Sequence, residues 1–569
     1  MRYSILLFLI IVSVGISDFE ASAQSSSVNK AFLTGETRRI PADMFGYNGK
    51  TSKGPSYSDS NFQDLLERMK PGIIRYPAGT YGNYFNWRTG LAMGSKGLNK
   101  VPYTISEFVG GIPDVTSIIY MVNMARPTPA TGVSMDASAE VLASQETFEL
   151  KQEDILEAIA EFEKQGHLPE YIELGSEFYF TNEHASVYGG NPSLYLDHAK
   201  QLAIAIKNLY HDIKICLIAT KGGANYRNKW NDAIFNALET DEELADCISA
   251  VTQHHYISDS FGLGIDLSGL ETAKQTISDA FDYTANEQSS YDDVPAAFEL
   301  WITEYGATKT NTLSTWASSI RAVAMTFGFM DMGEKIKMFT IQHLTHEETI
   351  DLKNYSLNGI GVSMTLLLSA AKNKTNAQKL DFTNNPVFYG QYKSLHGWKF
   401  CKGGEESIVI INCGETKFSD IDITKVFGSP DNSKEYIQYS SESPWEVNVS
   451  EIDGLTKSEG DVIEKITIPG FSVTHIFTNS GTVLGNVEPI KKMEVLVYPN
   501  PTSGLIKVSN LGVGNTEIQV FDQLGRQIVS KRAMSQVEDI DLRAFCEGVY
   551  FVYIRIGDNV KTLKVIKNS

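Results

Sequence analysis

Two glutamates in this sequence end short apolar runs in the same way. One run reads Tyr171-Ile172-Glu173-Leu174-Gly175-Ser176-Glu177 and the other Leu300-Trp301-Ile302-Thr303-Glu304, and an aromatic residue follows each final carboxylate. A pair of carboxyl groups held about 5 to 5.5 Å apart can break an acetal C–O bond. One, protonated, gives its proton to the leaving oxygen, while the other attacks the carbon. Either glutamate alone reads as a surface or buried structural residue. Their matched placement makes Glu177 and Glu304 a candidate catalytic pair.

The surrounding elements must bring them together. Short apolar runs alternate with amphipathic helices through the middle of the chain, the order expected for a parallel sheet with helices outside it. Eight candidate strands are Phe45–Asn48, Ile73–Tyr76, Ser117–Val122, Tyr171–Gly175, Ile213–Ala219, Ile248–Gln253, Phe298–Thr303 and Ile336–Gln342. Between them, Ile155, Leu156, Ile159 and Phe162 form the apolar stripe of a helix over 152–165. Asn191-Pro192 supplies a cap and a first-turn proline for another helix that runs to Leu209. Eight such units predict an α/β fold, a (β/α)8 TIM barrel, with a doubly wound sheet as the alternative. The βα loops of such a barrel open on one face, and Glu177 and Glu304 follow strands four and seven, which can converge across its mouth.

From about His396 the pattern changes to strands only, in "SIVIINCG" from Ser407, "EYIQYS" from Glu435, "VIEKITIP" from Val462 and "FSVTHIFT" from Phe471. This predicts a β-sandwich, for which the alternating "KAFLTGETRRI" from Lys30 is a candidate extra strand. Short alternations separated by Gly and Asn turns near the C-terminus predict a second, small β-sandwich. The N-terminus has a basic start, an apolar run from Ile5 to Ile16 and then Ala21-Ser22-Ala23, the order of a secretory signal cleaved after Ala23. The expected organisation is a signal peptide over 1–23, the barrel over 24–395, a sandwich over 396–482, a linker over 483–493 and a C-terminal domain over 494–569.

Forty-nine basic against 69 acidic side chains give a net charge of −20, which argues against nucleic acid as a partner and, more weakly, against polyanionic glycans. No stretch after the signal reaches the ~18 uninterrupted apolar residues of a membrane-spanning helix. Five cysteines are too few for a disulfide scaffold. Cys401 and Cys413 are candidates to face each other across a hairpin, with two buried thiols as the alternative.

Four segments carry a resemblance. "YIELGSEFY" and "LWITEYG" resemble the acid/base and nucleophile segments of the retaining (β/α)8 glycosidase clan that includes arabinofuranosidases, β-xylosidases and heparanase-like glucuronidases. "IIRYPAGTYGNYFNW" from Ile73 is similar to the strand-two segment of arabinofuranosidases, and "QHHYI" from Gln253 resembles the strand-six His-x-Tyr element. The resemblance implies a retaining glycoside hydrolase acting on plant or algal polysaccharides or oligosaccharides, with no cofactor or metal. It makes Glu177 the acid/base, Glu304 the nucleophile, Arg75 and Tyr256 supports of the nucleophile, and His254 a wall of the site. One position departs from the clan, which normally has asparagine before the acid/base to contact the sugar 2-hydroxyl; here it is Ser176. That departure leaves substrate specificity open and raises the alternative of a non-catalytic glycan-binding surface protein. A second resemblance covers residues 494–569: "VYPNPTSG", "VFDQLGR" and "GVYFVYI" look like the C-terminal sorting domain of the type IX secretion system of Bacteroidota. It implies export through the periplasm to the medium or the outer-membrane surface.

Other residues have competing readings. Asn123 can bind a sugar hydroxyl or close a turn. Trp87 and Tyr179 are plausible subsite walls. Glu173 is expected inside the barrel, paired with Arg75. His343 and His346 have a loose ligand spacing with His254 and His255, but no cysteine or carboxylate cluster completes a zinc set.

Overall fold

The computed structural model describes residues 30–568 apart from 52–53, 93–102, 115, 127, 129–138, 181–186, 259–268, 309–313, 343, 345–348, 430–431, 479–495, 510–515, 524, 534–536 and 557–558. The expected signal peptide and linker, with His343 and His346, lie outside the described residues. The chain forms two compact units that divide between Ser480 and Gly481.

In the first unit eight parallel strands close into a barrel: Phe45–Asn48, Ile73–Tyr76, Ser117–Met121, Tyr171–Glu173, Lys214–Ile218, Ala250–Ser258, Glu299–Thr308 and Ile336–Ile341. They are numbered one to eight below. Each is hydrogen-bonded to its neighbours in chain order, and strand eight returns to strand one. Helices between the strands follow local signals. The Asn191 side chain accepts a hydrogen bond from Leu194 N at 3.2 Å and caps the helix Pro192–Leu209. Helix Gln145–Lys164 buries Ile155, Ile159 and Phe162 against the barrel, and Leu156 packs at its margin.

Side chains alternate along each strand, so residues two apart share a face. At the starts of the strands Ile73, Ile119, Cys216, Ala250, Trp301 and Met338, with Tyr171 beside them, form an apolar cluster separate from the main core. Two residues further on stand Arg75, Met121, Glu173, Ile218, Thr252, Thr303 and Thr340, of which all but Met121 and Ile218 are polar. The interior therefore turns from apolar to polar within one repeat of the strand, and the site is built on the polar end.

Downstream is a seven-stranded antiparallel sheet in the order Ala31–Arg39, Asn376–Phe382, Leu395–Lys402, Glu405–Asn412, Ser472–Thr478, Lys434–Ser440, Thr456–Val462. A two-stranded sheet, Phe418–Asp422 with Lys465–Ile468, shares a core with one face of it. This sheet reaches back to Asn376, ahead of the expected sandwich start at 396. Its other face belongs to the same core as helix Gly359–Ala371, and the Trp316 indole donates to Phe471 O at 2.7 Å. Cys401 and Cys413 do not face each other. In this hairpin Cys401 stands opposite Glu406, and Cys413 lies beyond Asn412, which pairs with Leu395 at the other end; both thiols are free. Among the described residues no helix is long and apolar enough to cross a membrane.

The second unit holds a three-stranded and a four-stranded antiparallel sheet, with a core that includes Ile506, Val508, Ile518, Val520, Ile540, Val552 and Ile554.

Candidate active site

Arg75 is the centre of the site. It lies fully buried on strand two, where a guanidinium is tolerated only if its donors are met. Its Nη2 donates to Glu173 Oε1 at 3.0 Å and its Nε to Glu173 Oε2. Nη1 donates to Asn48 Oδ1 at 2.9 Å and to Glu304 Oε1 at 2.7 Å, and Nη2 also reaches Ser176 Oγ at 3.3 Å. One cation thus holds two carboxylates from strands four and seven.

Glu304 owes its aim to a bulge. Against strand six, Ile302 pairs with Gln253 but Glu304 pairs with His254, so Thr303 is an extra residue. An extra residue breaks the strict alternation, and Thr303 and Glu304 both turn towards the interior. Thr303 Oγ1 bonds Glu173 Oε1 at 3.1 Å, and Tyr256 OH donates to Glu304 Oε2. Both oxygens of Glu304 are therefore held, one by Arg75 and one by Tyr256.

Glu177 stands in a tight loop after strand four. Gly175 and Glu177 have φ of 87° and 55°, and a left-handed conformation at a glutamate requires support from its surroundings. Asn83 gives it: its Nδ2 donates to Ser176 O at 2.7 Å and its Oδ1 accepts from Ser176 N at 3.1 Å. Tyr179 OH donates to Glu177 Oε1 at 3.1 Å, and His254 Nδ1 lies 3.0 Å from the same oxygen. His254 Nε2 is 3.2 Å from Thr303 Oγ1, and its Nδ1 is 3.5 Å from Glu304 Oε2. One ligand-type atom from each of Glu177, His254 and Glu304 can be chosen so that all lie within 4.8 Å of one another.

The charges of the site depend on one another. Burial disfavours protonation of His254, but Glu304, Glu173 and Glu177 outweigh it and push the imidazole up to about 10. It is an imidazolium at neutral pH, a positive charge between two carboxylates. Burial would raise Glu173, yet Arg75 and His254 hold it below the usual carboxylate range. Burial and then the negative charge of Glu304 push the Tyr256 phenol well above its ordinary value, so it stays a donor. The neighbouring His255 faces the other way, against Phe329 and Tyr283. Burial lowers it to about 3, which leaves it neutral.

These groups open on a cavity of about 480 Å³ lined by Glu177, Glu304, His254, Tyr256 and Tyr179 together with Asn48, Lys50, Gly79, Thr80, Phe180, Lys221, Arg227 and Gln342. Arg75 and Ser176 lie beneath it, and the Ser176 hydroxyl meets Arg75 rather than the cavity. Two residues expected to contact substrate, Trp87 as a wall and Asn123 through a sugar hydroxyl, are engaged elsewhere. Trp87 donates from its indole at 3.0 Å to Asp154, on helix Gln145–Lys164, and the Arg88 guanidinium lies over its ring. Asn123 closes a turn, accepting from Ala125 N and Arg126 N at 3.1 Å each and donating to Phe85 O at 3.1 Å. Its polar atoms are used up by backbone.

Asn48, Lys50, Lys221 and Gln342 were not anticipated, although each ends or closely follows strand one, five or eight. That place at the strand ends is the sequence signal that marks them. Arg227 lies in the first turn of helix Asn225–Thr240, and Asn83 in a turn after strand two, where no pattern marks them.

Residues 496–568 match the secretion system C-terminal sorting domain family. This domain marks the chain for export, to be secreted or attached at the cell surface. No curated protein matches the sequence. Among solved structures, the chain resembles a family 51 α-L-arabinofuranosidase from Bifidobacterium longum, with a TM-score of 0.58 at 14% identity over 80% of this chain and 100% of that one. A 4-O-α-L-rhamnosyl-β-D-glucuronidase from Fusarium oxysporum gives 0.53 at 11% identity, over 80% and 99% of the two chains. The family 44 endoglucanase Cel44A from Clostridium thermocellum gives 0.52 at 12%, over 80% and 100%. The shared feature is the fold, a (β/α)8 barrel with an attached β-sandwich.

Proposed function

We propose that this exported protein is a retaining O-glycoside hydrolase acting on plant or algal polysaccharides or their oligosaccharides. The observation that carries the reading is the approach of Glu177 and Glu304, whose nearest carboxylate oxygens lie within 4.8 Å across a cavity large enough for a sugar ring. This suits double displacement, which needs carboxyl groups about 5 to 5.5 Å apart, and leaves too little room for the water that an inverting enzyme places between them.

Glu304 attacks the anomeric carbon as Glu177 passes its proton to the leaving oxygen, and the C–O bond breaks with its electron pair on that oxygen. Glu177, now a carboxylate, takes a proton from water, which displaces Glu304 and completes the cycle. Arg75 and Tyr256 orient the nucleophile, and the His254 imidazolium offsets the negative charge shared by the pair. The test is product analysis on a panel of polysaccharides and aryl glycosides with anomer-resolved NMR. Release of a sugar with its anomeric configuration retained is expected. Inversion removes the double displacement, and saturable glycan binding without any turnover makes the protein a binder.

A further inference from the structure

The chain carries a net charge of −20, yet Lys50, Lys221 and Arg227 line the same cavity as Glu177 and Glu304. They arrive from separate places, after strand one, after strand five and from the helix Asn225–Thr240. Lys221 is matched, 3.2 Å from Glu287 Oε1 and 2.9 Å from Tyr283 OH. Arg227 is not. Among the described residues no carboxylate lies within ion-pair distance of it; its Nε donates to Tyr226 OH at 3.2 Å, and its guanidinium lies 5.5 and 5.2 Å from the ring centroids of Tyr179 and Phe180. Tyr179 in turn donates to Glu177, so Arg227 stands on the acid side of the cavity.

Lys50 stands on the nucleophile side. Gly79 separates it from Glu304: a Cβ on that glycine would be 3.6 Å from Glu304 Oε1 and 3.9 Å from Lys50 Cδ. The Lys50 ammonium lies 3.9 Å from the Tyr81 ring centroid. A neutral sugar would strip water from Arg227 and return only hydroxyl contacts, whereas an oxyanion would meet it with charge-assisted hydrogen bonds. The cavity's cations also counter the negative charge of Glu304 that a charged substrate would meet. Arg227, seated beside the Tyr179 and Phe180 rings, carries the fork that suits a carboxylate or a sulfate.

We infer that the cavity takes a glycan bearing an anionic substituent, a carboxylate or a sulfate ester, held between Lys50 and Arg227; the inference rests on the glycosidase reading above and names its substrate class. The test is calorimetric titration of the full-length Glu304→Gln protein with matched oligosaccharides, in one arm neutral galactan oligosaccharides against oligogalacturonides, and in the other neutral against sulfated galactan oligosaccharides. Binding of the charged member at least tenfold tighter in one arm is expected, and that arm identifies the substituent. Arg227→Met and Lys50→Met, each added to Glu304→Gln, should lower the preference at least threefold, and Arg227→Lys should recover part of it. No binding, no preference in either arm, or a preference that survives both methionine changes overturns the inference. Hydrolysis of neutral glycosides without charge preference would end this inference and keep the hydrolase. Charge-selective binding in a protein without turnover would do the reverse.

Discussion

The two ends of the barrel interior are made by the same strands and behave as opposites. At the start of strand two Ile73 belongs to an apolar cluster with Ile119, Cys216, Ala250, Trp301 and Met338. Two residues later Arg75 is equally buried and bonded to Glu173 and Glu304. The first end holds together by packing and tolerates small changes of shape; the second holds together by exact pairing of charge, where removing one partner leaves another stranded. Stability and chemistry are thus separated along one strand by about 7 Å, two residues of rise.

The largest expected effect breaks the chemistry and spares the fold. Glu177→Gln and Glu304→Gln should each lower kcat/KM by about 10²–10⁴-fold while the circular dichroism spectrum stays that of the parent. A loss that appears only with unfolding would make the pair structural. Next comes the contrast between neighbours on strand two. Arg75→Met strands Glu173 and Glu304 and should cost about 3–5 kcal/mol in urea unfolding, with activity lost; Ile73→Val should cost about 0.5–1.5 kcal/mol and keep its activity. Equal costs would erase the distinction between the two ends.

The smallest effect is in pH. The imidazole of His254 is raised from 6.5 to about 10 by its carboxylates, so its contribution to stability is full below pH 6.5 and is lost as pH rises towards 10. The melting temperature should fall across that window, and His254→Gln should flatten the slope. A slope unchanged by the substitution would mean that His254 is not the group titrating.

Much of this was legible in the sequence, for a physical reason. Each barrel strand is a short buried run set off by polar ends, so all eight candidate runs meet observed strands, and Phe45–Asn48 and Ile73–Tyr76 agree to the residue. Of the residues presented directly by strands, Glu304 was visible from its position at a strand end, and Arg75, His254 and Tyr256 through the resemblance of their segments. What failed was placement beyond the strand ends. Trp87 and Asn123 sit in segments whose direction is set by tertiary partners, Asp154 for one and the backbone of 85 and 125–126 for the other. The bulge at Thr303 was also hidden, because it depends on the register of two neighbouring strands rather than on local sequence.

The central claim, that Glu304 bonds to sugar during turnover, is tested most directly by trapping. The protein is incubated with an activated 2-deoxy-2-fluoro glycoside of the sugar it releases, and its peptides are mapped by mass spectrometry. The account predicts one added glycosyl group on the peptide that contains Glu304, absent from Glu304→Gln. An active enzyme that yields no adduct, or carries it on another residue, would contradict it.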